Sequence, residues 1–148
     1  NQPIGRGYDD ACLSAIEVCK LLNENRESSI SDMINDLPKT FNSPTMSPEC
    51  ADNVKYQIID KISEIIRDKY ENKIKIADQE ILSILTINGI RFTLEDGSWG
   101  LIRASSNKPN LVVVCESTSS EYVMREIFMF IDSLLKKFKE IGPYDQSI

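Results

Sequence analysis

The sequence predicts an α+β fold: a four-stranded, mainly antiparallel sheet with two helices on one face, preceded by a short helical remnant of another domain. Three observations carry this. Apolar residues recur at 3.6-residue spacing between positions 54 and 70 and again between 123 and 138. Strand-like runs between those helices are separated by Asn88-Gly89 and Asp96-Gly97, dipeptides that readily take the positive φ angles of two-residue hairpin turns. A proline-marked stretch over residues 38–48 divides all of this from what precedes it.

Residues 1–8 read as a Pro/Gly-marked loop, and Asp9 or Asp10 caps a helix running to about Asn23. The polar stripe of that helix is Ser14, Glu17, Lys20 and Glu24. Nearly every other position is apolar, so the helix needs cover on more than one side. Only a short helical segment, 30–37, follows before Pro38. Residues 1–40 therefore read as the tail of a larger domain, and 41–148 as the next one. With Ser43-Pro44 and Ser47-Pro48, the stretch 38–48 predicts an extended linker or edge strand, because proline disfavours helix at the residue before it. Ser47 and Pro48 also make a good helix start, cap then first turn. The helix they introduce aligns Val54, Ile58, Ile59, Ile62, Ile65, Ile66 and Tyr70 on one side.

Strands over 82–87, 90–95 and 98–104 form a meander. In the second, Ile90, Phe92 and Leu94 alternate with Arg91, Thr93 and Glu95, predicting one dry face and one wet face. A polar loop over 105–110 leads to an apolar strand over 111–115. Thr118-x-x-Glu121 then reads as a capping box opening a helix with Val123, Ile127, Phe130, Ile131, Leu134 and Phe138 on one side. The simplest packing places both helices on the dry face of the sheet.

Composition narrows the function. Of 148 residues, 41% are hydrophobic and 27% charged, the range of folded soluble proteins. A net charge of -6, with 23 acidic against 17 basic residues and no basic run, argues against nucleic-acid binding. No apolar stretch approaches the ~20 residues of a membrane span, and no signal peptide is evident, so the expected setting is the cytoplasm. Cys12, Cys19, Cys50 and Cys115 lack zinc-type spacing and sit among apolar neighbours, as reduced buried thiols do. Histidine is absent, which removes the commonest general base and zinc ligand and counts against a self-contained enzyme.

The chemically richest stretch is Arg103-Ala104-Ser105-Ser106-Asn107-Lys108-Pro109. A phosphate monoester wants a charged fork, hydroxyl or amide donors and exposed backbone N–H groups in a tight turn. Arg103, Ser105, Ser106, Asn107 and Lys108 supply these within six positions, with Gly97 and Gly100 nearby for close backbone approach. The same residues also suit an ordinary polar connection between strands. Trp99 fits sheet cover better than sugar stacking. Asp9/Asp10 and Glu95/Asp96 fit capping and turn formation better than metal binding, so no catalytic and no metal-ligating residue is assigned.

Taken together, these motifs resemble the α-D-phosphohexomutases. Gly7-Tyr8-Asp9-Asp10 leading into a helix resembles the end of that family's third domain, and Pro38-Lys39-Thr40 with Ser43-Pro44-Thr45 resembles the linker into its fourth. Most specific is Asn88-Gly89-Ile90-Arg91 followed by Asp96-Gly97-Ser98-Trp99-Gly100-Leu101-Ile102-Arg103-Ala104-Ser105-Ser106-Asn107-Lys108-Pro109, similar to the signature D-G-x-W-G-L-V-R-A-S-N-T-x-P. The phosphomannomutase/phosphoglucomutase branch fits best, and the match covers essentially the whole chain. One departure stands out: Ser106-Asn107 replaces the usual Asn-Thr, keeping hydroxyl and amide in swapped order.

The resemblance implies a TATA-binding-protein-like fourth domain, entered after a helical tail of the sugar-binding third domain. It implies an enzyme that interconverts 1- and 6-phosphorylated mannose or glucose through a phosphoserine, an aspartate-held Mg²⁺ and a reorienting bisphosphorylated sugar. Arg103 and Ser105 match the phosphate clamp, with Ser106, Asn107 and Lys108 beside them. The phosphoserine loop, the Mg²⁺ loop and the sugar loop are expected upstream of Asn1, so this chain is expected to bind no metal and to be inactive alone. The expected partners are the sugar phosphate and the enzyme's remaining domains. Two other classes stay open: a free-standing binding module that homodimerises through the apolar first helix, and, less favoured, a small enzyme using cysteine chemistry.

Overall fold

The computed structural model describes residues 10–35, 37–146 and 148, and divides into two units, Asn1–Pro38 and Lys39–Ile148. In the first unit, α1 spans Ala11–Glu24 and α2 spans Ile30–Asn35. Asp10 is the cap of α1, its Oδ1 accepting from the Leu13 N–H at 2.9 Å. The alternative cap Asp9, like the rest of the Gly7-Tyr8-Asp9 stretch, lies outside the described residues. No residue of α1 is buried.

The second unit runs β1 (Phe41–Asn42), α3 (Lys55–Glu71), β2 (Ile81–Leu85), β3 (Ile90–Leu94), β4 (Trp99–Ala104), β5 (Leu111–Ser117) and α4 (Glu121–Leu135). The sheet is antiparallel throughout, in the order β1-β5-β4-β3-β2. It therefore has five strands rather than the expected four. The fifth comes from the proline-marked stretch. Ser43 N–H donates to the Cys115 carbonyl, Met46 exchanges both backbone bonds with Val113, Leu111 N–H donates to the Pro48 carbonyl and Cys50 N–H to the Pro109 carbonyl. This segment covers the otherwise unpaired edge of β5 from end to end.

The same pairing explains a second difference. Ser47-Pro48 does not start a helix, because the Pro48 carbonyl is taken by Leu111 and the Ser47 N–H by Asp145 Oδ1 at 2.6 Å. α3 begins only at Lys55. The capping box is also displaced: Ser120 caps α4, accepting from the Val123 N–H, while Thr118 Oγ1 donates to the Asp96 carbonyl at 2.7 Å. Four successive hydroxyl residues, Ser117 to Ser120, left the choice to tertiary contacts.

Both helices lie on one face. Ile58, Ile62 and Ile66 of α3 join Val123, Ile127, Ile131 and Leu134 of α4 over Ile90, Phe92, Leu94, Ile102, Val113 and Cys115 in a single buried core. A fully buried Ile or Phe contributes about 1.5–3 kcal/mol. Gly100 makes room for this layer: a Cβ there would lie 2.6 Å from Phe92 Cζ and 2.9 Å from Ile127 Cγ2. The opposite face is half-covered rather than wet. Arg91, Trp99, Leu101, Arg103, Val112 and Val114 shield one another there across strands, and the Arg91 guanidinium stacks 4.5 Å from the Trp99 ring centroid. Trp99 is thus sheet cover.

Asp96 organises the far end of β4. Its carboxylate accepts from Ser119 Oγ (2.7 Å), the Ser98 N–H (2.8 Å) and Gln79 Nε2 (3.1 Å). Burial alone would raise its pKa, but these hydrogen bonds outweigh it and hold the carboxyl at about 2, against an ordinary 3.8. Because the folded value lies below the unfolded one, the unfolded chain takes up the extra proton. The stability contributed by Asp96 is complete above about pH 4 and is lost as pH falls toward 2. In urea titrations at pH 6 and pH 2.5, Asp96→Asn should differ from wild type more at pH 6 than at pH 2.5. A pH-independent difference would show that the ionised carboxylate is not what matters.

Candidate functional site

Arg103 is the penultimate residue of β4, on the helix-free face and opposite Val112 of β5. Its guanidinium is half-buried. Nη1 donates to the Ala104 carbonyl at 3.2 Å, and among the described residues the side chain forms no salt bridge. Most of its donor fork is left for another acceptor.

The loop that follows folds back tightly. Ser105 N–H donates to the Asn110 carbonyl at 3.0 Å, and Asn110 N–H to the Lys108 carbonyl at 2.9 Å. Asn107 N–H approaches Ser105 Oγ at 3.4 Å. Among the described residues, the backbone N–H groups of Ser106 and Lys108 donate to no protein acceptor. Ser106, Asn107 and Lys108 are exposed and Ser105 is half-exposed. Four of the five residues expected at the site therefore share one loop and Arg103 closes the strand leading into it, together bearing positive charge, hydroxyls, an amide and free N–H groups. That set suits an oxyanion, which has acceptors only.

Two residues that sequence reasoning missed shape this loop. Lys55, the first residue of α3, is only 3% exposed; its Nζ reaches across to the Ser105 carbonyl at 2.5 Å and the Lys108 carbonyl at 3.1 Å, and pairs with Asp52 Oδ1 at 2.6 Å. One signal was available: a lysine sits three positions before Ile58 on the apolar stripe of its helix, where a solvated charge does not belong. The second is Gly89. Its φ is +105°, and a Cβ there would lie 2.3 Å from the Ile102 carbonyl oxygen and 2.6 Å from Arg103 Cβ. The β2–β3 turn thus presses directly on the backbone that carries Arg103.

The glycines first associated with the loop are elsewhere: Gly100 faces the helices, and Gly97 makes the β3–β4 turn beside Thr118. A recess of about 210 Å³ opens beside Arg103, walled chiefly by Leu85, Ile87, Gly89 and Leu101. A larger one, about 440 Å³, lies beyond Gly89, but Asp60 and Glu64 set two carboxylates against Arg67 there and make it a poor host for an anion.

The other candidates drop away. Burial pushes the Cys115 thiol up to about 12, and burial with the Glu140 charge also raises Cys50, so neither of these is poised as a nucleophile. Cys12 and Cys19, expected to be buried, are exposed on α1. Glu95 accepts from the Glu80 N–H, and Asp96 is committed as above. Among the described residues no group of three or more His, Cys, Asp or Glu gathers to hold a metal ion, and no helix is long and apolar enough to cross a membrane.

Comparison with known proteins bears on the same segment. Residues 49–134 match the family model of the phosphoglucomutase/phosphomannomutase C-terminal domain. The chain is 31% identical to a phosphopentomutase of Thermococcus kodakarensis over 69% of its own length and 20% of the relative's. It is 30% identical to a phosphomannomutase/phosphoglucomutase of Pseudomonas putida over 91% of its length and 26% of the relative's. The fold is similar to a crystal structure of a phosphoglucomutase/phosphomannomutase family protein from Burkholderia thailandensis, with a TM-score of 0.62 at 22% identity, covering 96% of this chain and 27% of that one. The chain thus spans about a fifth to a quarter of the relatives it matches.

Proposed function

The chain belongs to the phosphoglucomutase/phosphomannomutase C-terminal-domain family, and on that premise we propose that it grips the non-reacting phosphate of a hexose phosphate while a larger mutase interconverts the 1- and 6-phosphorylated forms of mannose or glucose. The observation that carries this reading is the end of β4 and the loop after it, where a guanidinium with spare donors is followed within five positions by two serine hydroxyls and two unused backbone N–H groups. Arg103 supplies the charged fork, Ser105 and Ser106 supply hydroxyls, and Asn107 and Lys108 add an amide and a mobile cation at the rim.

Holding a remote phosphate accelerates a reaction only where the reacting centre is also present, since only then does the binding orient it. The chain alone therefore binds without turning substrate over. Its partners are the remaining domains of the same enzyme, in the cytoplasm, and residues 1–40 are the helical tail of the sugar-binding domain before it. Phosphoserine and Mg²⁺ chemistry belong to those other domains. The described residues here do not gather a carboxylate cluster that would fit Mg²⁺.

The test is a titration of the ¹⁵N-labelled chain with mannose 1-phosphate and glucose 6-phosphate. Amide shifts should centre on residues 103–108, with no mutase turnover. Turnover by the chain alone, or shifts centred elsewhere, would overturn the proposal.

A second reading has one observation in its favour: in α1, Ile16, Val18 and Leu21 are each about half exposed. A free-standing module that homodimerises through this helix would sediment as a concentration-dependent dimer. A strictly monomeric chain removes that reading.

A further inference from the structure

We infer that Lys55 is a positioning residue for the phosphate loop, aiming the Ser106 backbone N–H outward at the anion. The inference rests on the phosphate-gripping function proposed above and names a residue of that site which never touches the ligand.

An ammonium group has three N–H donors and no acceptor, and removing it from water is heavily unfavourable unless all three are met. At Lys55 they are met by Asp52 Oδ1, the Ser105 carbonyl and the Lys108 carbonyl. Two of these three partners belong to the loop and lie on either side of Ser106-Asn107. A buried lysine is a poor choice for filling a core, where an apolar side chain of the same volume packs without desolvating a charge. Its position is explained by what it holds.

The consequence follows from peptide geometry. The chain has no cis peptide bonds among its described residues. In a planar trans peptide the C=O and the next residue's N–H point in opposite directions. Drawing the Ser105 carbonyl in toward Lys55 therefore turns the Ser106 N–H out, and that N–H has no protein acceptor among the described residues. A cation on the carbonyl also polarises the peptide and makes its N–H a stronger donor. The Lys108 carbonyl precedes Pro109, which has no N–H, so the second tie anchors the loop's far end without redirecting a donor. Asp52 is 70% exposed, so water screens its carboxylate and leaves part of the Lys55 field acting on the loop.

The experiment titrates inorganic phosphate and mannose 1-phosphate into the ¹⁵N-labelled 148-residue chain as wild type, Lys55→Met and Arg103→Ala, with thermal midpoints measured alongside. In wild type the Ser106 amide proton should move downfield as phosphate saturates. Lys55→Met should keep a native-like spectrum, bind about tenfold more weakly, and lose the downfield Ser106 shift. A merely structural lysine would alter the midpoint and leave that shift in place. If Lys55→Met binds like wild type and keeps the shift while Arg103→Ala weakens binding, the Lys55 inference is overturned and the phosphate site stands. If wild type shows no response at the loop, both fall together. Should Lys55→Met fail to fold, the Lys55 ammonium resonance of wild type gives the answer. Protection from exchange and a shift in step with Ser106 support the inference, and an unresponsive, freely exchanging ammonium sinks it.

Discussion

Arg103→Ala should weaken hexose-phosphate binding by about 1.5–3 kcal/mol, roughly ten- to 150-fold, without changing the fold. The guanidinium sits at the end of a paired strand and gives one hydrogen bond, to its own neighbour's carbonyl, so truncation breaks no salt bridge among the described residues. What is lost is a charged donor fork. Arg103→Lys should recover only part of the affinity, because a point charge cannot make two parallel bonds to phosphate oxygens. The comparison that isolates the effect pairs a hexose phosphate with the unphosphorylated hexose. The substitution should leave the second unaffected, and equal losses for both would assign Arg103 to the sugar instead.

Gly89→Ala should destabilise the second unit by about 2–5 kcal/mol, adding backbone strain at positive φ to steric overlap. At φ +105° the backbone is already unfavourable for a side chain, and the new Cβ would stand 2.3 Å from a carbonyl oxygen that cannot move without shifting β4. Gly97→Ala is the natural control. Its φ is +87°, but the nearest atom to a Cβ is Thr118 Cγ2 at 3.8 Å, so it carries strain alone, about 1–2 kcal/mol. Urea midpoints for the two variants should differ clearly, with Gly89→Ala the worse. Because the collision is with the Arg103 backbone, any folded Gly89→Ala protein should also bind phosphate less well. Equal midpoints would mean that the β2–β3 turn yields readily and does not brace Arg103.

The legible parts were those whose signals lie within a few residues. The two amphipathic helices and the alternation of Ile90, Phe92 and Leu94 follow from local periodicity and recur in the structure. The chain does turn at Asn88-Gly89 and Asp96-Gly97, but through connections longer than two residues, with positive φ at the glycines and not at Asn88 or Asp96. The loop from Arg103 to Lys108 was readable because its donors are contiguous. The misjudged parts share a different cause. Ser47-Pro48 and Thr118 each had a sound local reading, and each lost to a backbone or side-chain partner far away in sequence.

By itself, then, the sequence determined the α+β class, the meander, the residues proposed to bind the anion and the family signature that contains them. Only the tertiary structure decided that a proline-marked stretch becomes the fifth strand, that Gly89 rather than Gly97 or Gly100 lies against Arg103, and that a lysine fifty residues upstream holds the loop. The physical reason is one of range. Helical periodicity and turn preference act between neighbours, whereas the choice of partner for a buried carbonyl or ammonium is made by whatever the folded chain brings within about 3 Å of it.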